Sequence, residues 1–247
     1  MENKKYELTD ETKEFGYCTL HRIRALKDFS DVKKGDLGGW IESEDNLSHE
    51  DDCWVSGNAK VFGNAWVFDN AEASDNAKVC DKARVGGNAK VYGNAQVSGK
   101  AWVFYNARVF GNAEVYGNAK VYQDAEVSGK AQVYDNAKVY GNAWVSGKAE
   151  VSDNTRVYGN AKVYGNAQVY GNAKVSGNAK VYEDAKVYED AEVSGKAQEE
   201  SAQSTSEKDQ KLATITNMPS NSGYVTFKVT GLQDISELEI SFKKHGK

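Results

Sequence analysis

The side chains that could do chemistry in this sequence are few. Its histidines are His21, His49 and His245. His49 stands next to Glu50, Asp51, Asp52 and Cys53, so imidazole, carboxylate and thiol groups come together in one short run. Such groups bind metals, but the spacing fits no standard zinc pattern, and the run reads as a solvated acidic turn. Cys18, Cys53 and Cys80 are too few and too scattered for a disulfide framework. No glycine-rich phosphate loop and no nine-residue calcium repeat is present. The sequence therefore assigns no catalytic residue, no metal ligand and no cofactor.

A second set of residues is more strongly patterned. Trp102 and Phe104, Lys120 and Tyr122, Lys138 and Tyr140, and Arg156 and Tyr158 recur every eighteen residues. Each pair sets a cation beside an aromatic, or Trp beside Phe, and the aromatics from Phe104 to Tyr158 read as an unbroken ladder. The plain role for such a ladder is support of neighbouring strands, at about 0.2–1 kcal/mol per pair. A sharper role is binding, because aromatics and Arg mark protein interfaces. Stacking plus cations would also suit a nucleic acid or a glycan. The net charge of −5 argues against a general nucleic-acid binder. The reading adopted is a rigid basic and aromatic face for a protein partner.

Only an element with an eighteen-residue repeat can place these residues above one another. From Val55 to Val193 a valine recurs every six residues, with Ala73 the single exception. A second column, Ala59 to Ala197, runs four residues after each valine, with Thr155 its single exception. Residues two apart in a strand share a side, so alanine and valine point inward together. The remaining pair is usually Gly-Asn, Asp-Asn, Gly-Lys or Glu-Asp, which tolerate the positive φ of a sharp corner. Three such sides close a triangular coil, and the twenty-four registers make eight coils, a prism about 38 Å long at strand spacing. The flanking residues point outward: Cys80 reads as an exposed thiol, whereas Cys53 lies in an inward slot as a small apolar filler.

The pattern of an aliphatic residue, any residue, then Gly-Asn-Ala resembles the motif of the hexapeptide-repeat left-handed β-helix superfamily. The resemblance covers residues 53–198 and implies an all-β, left-handed parallel β-helix. That superfamily includes many acyltransferases, whose trimeric enzymes use a histidine near a cleft between subunits. No histidine falls in the regular coils here, so that role finds no matching position. The stretch Arg22-Ile23-Arg24-Ala25-Leu26-Lys27-Asp28-Phe29, followed by Gly35-Asp36-Leu37-Gly38-Gly39-Trp40-Ile41-Glu42-Ser43-Glu44, resembles the opening module of phage- and prophage-encoded hexapeptide-repeat proteins. These are loosely labelled acetyltransferase-like. The resemblance implies a bacterial or phage origin, with three functional alternatives: a scaffold or binding protein, a counter-defence inhibitor of a host immune enzyme, or an acyltransferase. It also implies a homotrimer.

The other segments follow from composition. Residues 1–52 read as an N-terminal cap running into an imperfect first coil. Lys5–Leu8 and Thr19–Leu26 are expected as short strands around a polar stretch, Thr9–Gly16. Ile41, Leu47 and Val55 begin the inward series, with Asp45 and Cys53 in alanine slots and two extra residues in Ser48–Asp52. Residues 199–211 are rich in Ser, Glu, Gln and Lys and read as a linker. Residues 212–247 alternate as strands at Leu212–Thr216, Tyr224–Thr230 and Leu238–Phe242, too few to fold alone. They are expected to pack on the last coil or to oligomerise. Met1–Phe15 carries no apolar leader, and no run of eighteen apolar residues suggests a membrane helix. A cytoplasmic location is the expectation.

Overall fold

In a computed structural model of the chain, residues 4–195, 214–218 and 226–230 are described. Valine sets the architecture. Most repeats contribute a two-residue rung such as Lys120–Val121, whose first residue faces out and whose valine is fully buried; Lys174–Gly177 and Glu192–Gly195 are four residues long. The rung eighteen residues later pairs with it in parallel, Lys120 opposite Lys138 and Val121 opposite Val139. The chain thus winds as a parallel β-solenoid with three sheets. The face that starts at Lys60–Val61, the Lys60 face, is continued at its N-terminal edge by Leu37–Ile41, which gives it nine parallel rungs. The Trp66 face and the Glu72 face carry eight each. The solenoid has about nine turns, since the imperfect first coil adds one to the eight regular ones.

Backbone groups are satisfied along the axis. Tyr122 N–H donates to Val139 O at 3.0 Å, and the corner Asn118 N–H donates to Asp135 O at 2.6 Å. Corner asparagines also bond side chain to side chain, as from Asn142 to Asn160 and from Asn160 to Asn178, each at 3.1 Å. From Gly57 to Glu189 the first corner residue has positive φ. Successive corners touch there: a Cβ on Gly147 would lie 2.8 Å from Gly165 N, so glycine removes both the steric and the conformational penalty. Inside, alanine and valine are essentially inaccessible through most of the solenoid. A fully buried valine contributes about 1.5–3 kcal/mol before ordering costs. Thr155 is the exception in the alanine column, fully buried with a hydroxyl that has no hydrogen-bond partner.

The N-terminal segment is an antiparallel extension of the Lys60 face. Strand β1 (Tyr6–Phe15) pairs with β2 (Cys18–Ala25), which pairs with β3 (Leu37–Ile41). The polar stretch 9–15, expected between strands, is itself part of β1. Its residues 10–14 are exposed, and backbone pairing such as Lys13 with Leu20 carries it without an apolar face. Asp45 does not take the inward slot either. A 3-10 turn, Glu44–Asn46, rotates Asp45 outward and buries Asn46. Asn46 replaces the missing ladder contacts, donating to Gly63 O and Ala65 O at 2.9 Å and accepting from Glu42 and Ser43 N–H.

Lys5 and Tyr6 close over this first coil. Lys5 is fully buried, and its Nζ donates to Glu50 O, Asp51 O and Cys53 O at 3.1, 3.0 and 2.8 Å. The Tyr6 hydroxyl donates to Leu47 O at 2.7 Å, and burial holds its pKa far above the usual phenol range. Toward the C-terminus, Thr214–Met218 pairs antiparallel with Thr226–Thr230. The expected linker 199–211, Leu212 and the strand Leu238–Phe242 lie outside the described residues.

Candidate functional site

The Trp66 face gathers all eight candidate residues on one sheet, since Trp102 pairs with Lys120, Lys120 with Lys138 and Lys138 with Arg156. Their outward direction follows from the inward valines between them. Tyr122, Tyr140 and Tyr158 form a parallel stack, with ring centroids 4.9 and 5.0 Å apart. Burial between neighbours pushes the Tyr122 and Tyr140 phenols up, helped by the next tyrosine and opposed by Arg156.

The expected unbroken ladder is split between Phe104 and Tyr122. Phe104 leans the other way, to within 5.9 Å of Phe68 two coils below, and packs edge-on against Tyr105 at 4.7 Å. Gly86, between Phe68 and Phe104, permits this: a Cβ there would lie 2.4 Å from the Phe68 ring. The lower half of the face is therefore a second cluster, of which the sequence reading took Trp102, Phe104 and Lys120 and left out Trp66, Phe68, Arg84 and Tyr105. Trp66 stacks on Phe68 at 4.2 Å, and Arg84 lies between the rings of Trp66 and Trp102, 5.8 and 5.5 Å from their centroids. Lys120 covers the other face of Trp102 at 5.4 Å. Tyr105, 55% exposed, extends this cluster from a corner with φ of 60°. An aromatic residue at a corner position that otherwise takes Gly, Asp, Glu or Gln was the available signal.

Charge distinguishes this face from the Glu72 face. There Lys90 pairs with Glu72 at 2.9 Å and Arg108 with Glu126 at 3.4 Å. On the Trp66 face Lys120, Lys138 and Arg156 are stacked with no ion pair among the described residues. Pairing begins only with Lys174 and Glu192, at 2.6 Å, where Glu192 raises the Lys174 pKa.

The other reactive candidates are structural. His49 stacks on Tyr6 at 4.2 Å, its Nδ1 accepts from Lys5 N–H at 3.3 Å, and its Nε2 lies 3.5 Å from Glu44. His21 sits half-buried on β2, opposite Ile41 of β3. His245 lies outside the described residues. Cys53 is buried as expected of a filler. Cys80 is not the exposed thiol expected: neighbouring outward side chains half-bury it, and burial, then Asp81, pushes its pKa up to about 11. Among the described residues no group of His, Cys, Asp and Glu is placed to hold a metal ion, and no helix is long and apolar enough to cross a membrane.

Fold and repeat define a parallel β-solenoid repeat protein. Residues 131–147, 155–171 and 167–183 match the family described as YdcK Beta solenoid repeat. Over 60 residues the chain is 38% identical to the protein named "Uncharacterized acetyltransferase YdcK" of Escherichia coli (strain K12), a match covering 21% of this chain and 18% of that protein.

Proposed function

We propose that the chain is a non-enzymatic β-helical scaffold whose Trp66 face binds an acidic protein surface. The observation that carries this is the column Lys120, Lys138 and Arg156. Like charges directly opposite on neighbouring strands are destabilising; the other faces hold such contacts only as single pairs, Lys60 with Lys78, Lys90 with Arg108 and Lys162 with Lys180, whereas here three cations follow one another. An acidic partner would relieve that repulsion and speed encounter. The sheet beneath is stiff, so little ordering entropy opposes docking. The test is the double variant Lys138→Glu with Tyr140→Ser, which changes no inward residue. It should weaken a co-purified partner more than tenfold, about 1.4 kcal/mol. Full affinity in the folded variant would reduce the face to a stacking ladder.

The same reading includes a left-handed coil, an N-terminal segment that caps the solenoid, a homotrimer and a phage or prophage protein acting in the bacterial cytoplasm. The resemblance of residues 22–44 and of the repeat supports these. In that setting the partner class includes a host immune enzyme held by a counter-defence protein. Light scattering tests the trimer, and a 27 kDa particle at micromolar concentration would remove it. A second reading, acyltransferase, is favoured by the name of the E. coli relative. Turnover of acetyl-coenzyme A by the purified chain would select it over the scaffold.

A further inference from the structure

The outward column that follows each valine carries rings, and tyrosines on adjacent coils stack. Tyr116 lies 5.0 Å from Tyr134, and Tyr170 lies 5.3 Å from Tyr188. Small residues interrupt these columns, and two of the interruptions are filled by the chain's own rings. Phe68 and Phe104 close over Gly86. On the Glu72 face the indole of Trp144 lies over Ser128, donating to its Oγ at 3.2 Å, and stacks toward Tyr164 at 6.3 Å.

The interruption at Ser152, on the Lys60 face, is different. Tyr134 and Tyr170 flank it, and each stacks on the neighbour that lies away from the gap. Their opposite ring faces look at each other across Ser152, about 10 Å apart at two strand spacings. Between them is a cavity of about 340 Å³ floored by Ser152. Its rim carries Asp135, Glu150 and Asp153 and no cation. Two of these carboxylates are already oriented: Glu150 accepts from Gln168 at 3.3 Å, and Asp153 accepts from Gly171 N–H at 2.8 Å.

We propose that this cavity binds a planar organic cation, a guanidinium or amidinium, between the rings of Tyr134 and Tyr170. A flat group midway would lie about 5 Å from each ring, the separation seen in the protein's own stacks. Cations over ring faces are attracted by the aromatic quadrupole. A guanidinium is flat and weakly hydrated, and its N–H fork matches a carboxylate, whereas an ammonium is a compact, strongly hydrated charge that would not fill the slot. The chain contains the same arrangement within itself. Arg84 lies between Trp66 and Trp102, thirty-six residues apart, as Tyr134 and Tyr170 are. At Ser152 the two rings are present and the carboxylates are added, but the cation must come from outside. This site is acidic and lies on a different face from the basic one proposed above, so it stands without that reading.

The test is titration of the full chain with benzamidinium, followed by calorimetry and by the tyrosine ring resonances. Benzamidinium should bind at least tenfold more tightly than neutral benzamide. Glu150→Gln should weaken it at least tenfold. Ser152→Tyr should abolish binding, because it places a ring in the gap of a column that already carries Tyr116, Tyr134, Tyr170 and Tyr188. A Gly-Arg-Gly peptide separates the sources. Tighter binding of the peptide assigns the site to an arginine on a partner protein; equal or weaker binding assigns it to a small cation. Equal affinity for benzamide and benzamidinium, or no binding of either cation to the unmodified chain, overturns the proposal. So does unchanged affinity in a folded Ser152→Tyr variant. Should that variant not fold, the benzamide comparison and Glu150→Gln still decide.

Discussion

Replacing Lys5 with methionine keeps an unbranched side chain of similar length and removes only the ammonium. Three carbonyls converge on that group, from Glu50, Asp51 and Cys53, and the Cys53 sulfur lies 3.1 Å away. The Cys53 carbonyl is buried, so losing its donor costs about 1–3 kcal/mol. The Glu50 and Asp51 carbonyls belong to exposed turn residues, where water can take over. Methionine also avoids desolvating a charge, which offsets part of the loss. The net expectation is a loss of about 1–3 kcal/mol, confined to one end because backbone pairing links each coil only to its neighbours. Hydrogen exchange reads this directly. Amides of residues 18–61 should exchange roughly tenfold to a hundredfold faster, at 1.4 kcal/mol per decade, while those of residues 97–169 keep their protection. Unchanged exchange in residues 18–61, or equal acceleration throughout, would refute the assignment of Lys5 as a local clamp.

Three further outcomes can be measured. Val121→Asp places an unpaired charge at a fully buried position and should abolish the cooperative melting transition; an unaltered transition would contradict the solenoid core. Thr155→Val keeps the volume and removes a buried hydroxyl without a partner, so stability should rise by about 1 kcal/mol, and a lower melting temperature would count against the orphaned group. Burial raises the thiol pKa of Cys53 and Cys80, the latter to about 11, so the reactive thiolate is scarce at pH 8 and increases as pH rises toward that value. Alkylation of either should be slow in the folded protein at pH 8 and fast after denaturation; rapid labelling of the native chain would show that the sites open.

The solenoid was legible because its signal is periodic. One valine and one alanine per six residues decide which side chains point inward, and no competing register preserves both columns. The outward faces followed from the same count, so all eight candidate residues were placed on one sheet. What the period could not show is how neighbouring outward side chains settle. The split at Phe104 depends on Gly86 being small enough for a ring two coils away to lean across. The half-burial of Cys80 has the same kind of cause. The first coil was legible only in outline, because a 3-10 turn exchanges the roles of Asp45 and Asn46 through hydrogen bonds rather than apolar pattern. The notch at Ser152 appears in sequence only as serine among tyrosines, and the same substitution at Ser128 is covered by Trp144.

The inward columns of the three sheets are the same, alanine and valine on every side. The core therefore cannot tell one face from another. Inserting eighteen residues by duplication would lengthen the prism by one step and leave every later side chain above its former neighbours. Inserting six would leave the core equally intact yet rotate everything downstream by a third of a turn, moving Lys138 and Arg156 onto the neighbouring side. The identity of a face is thus a matter of counting from Leu47 onward, and the repeat can be edited in units of six without unfolding but only in units of eighteen without scrambling its surface.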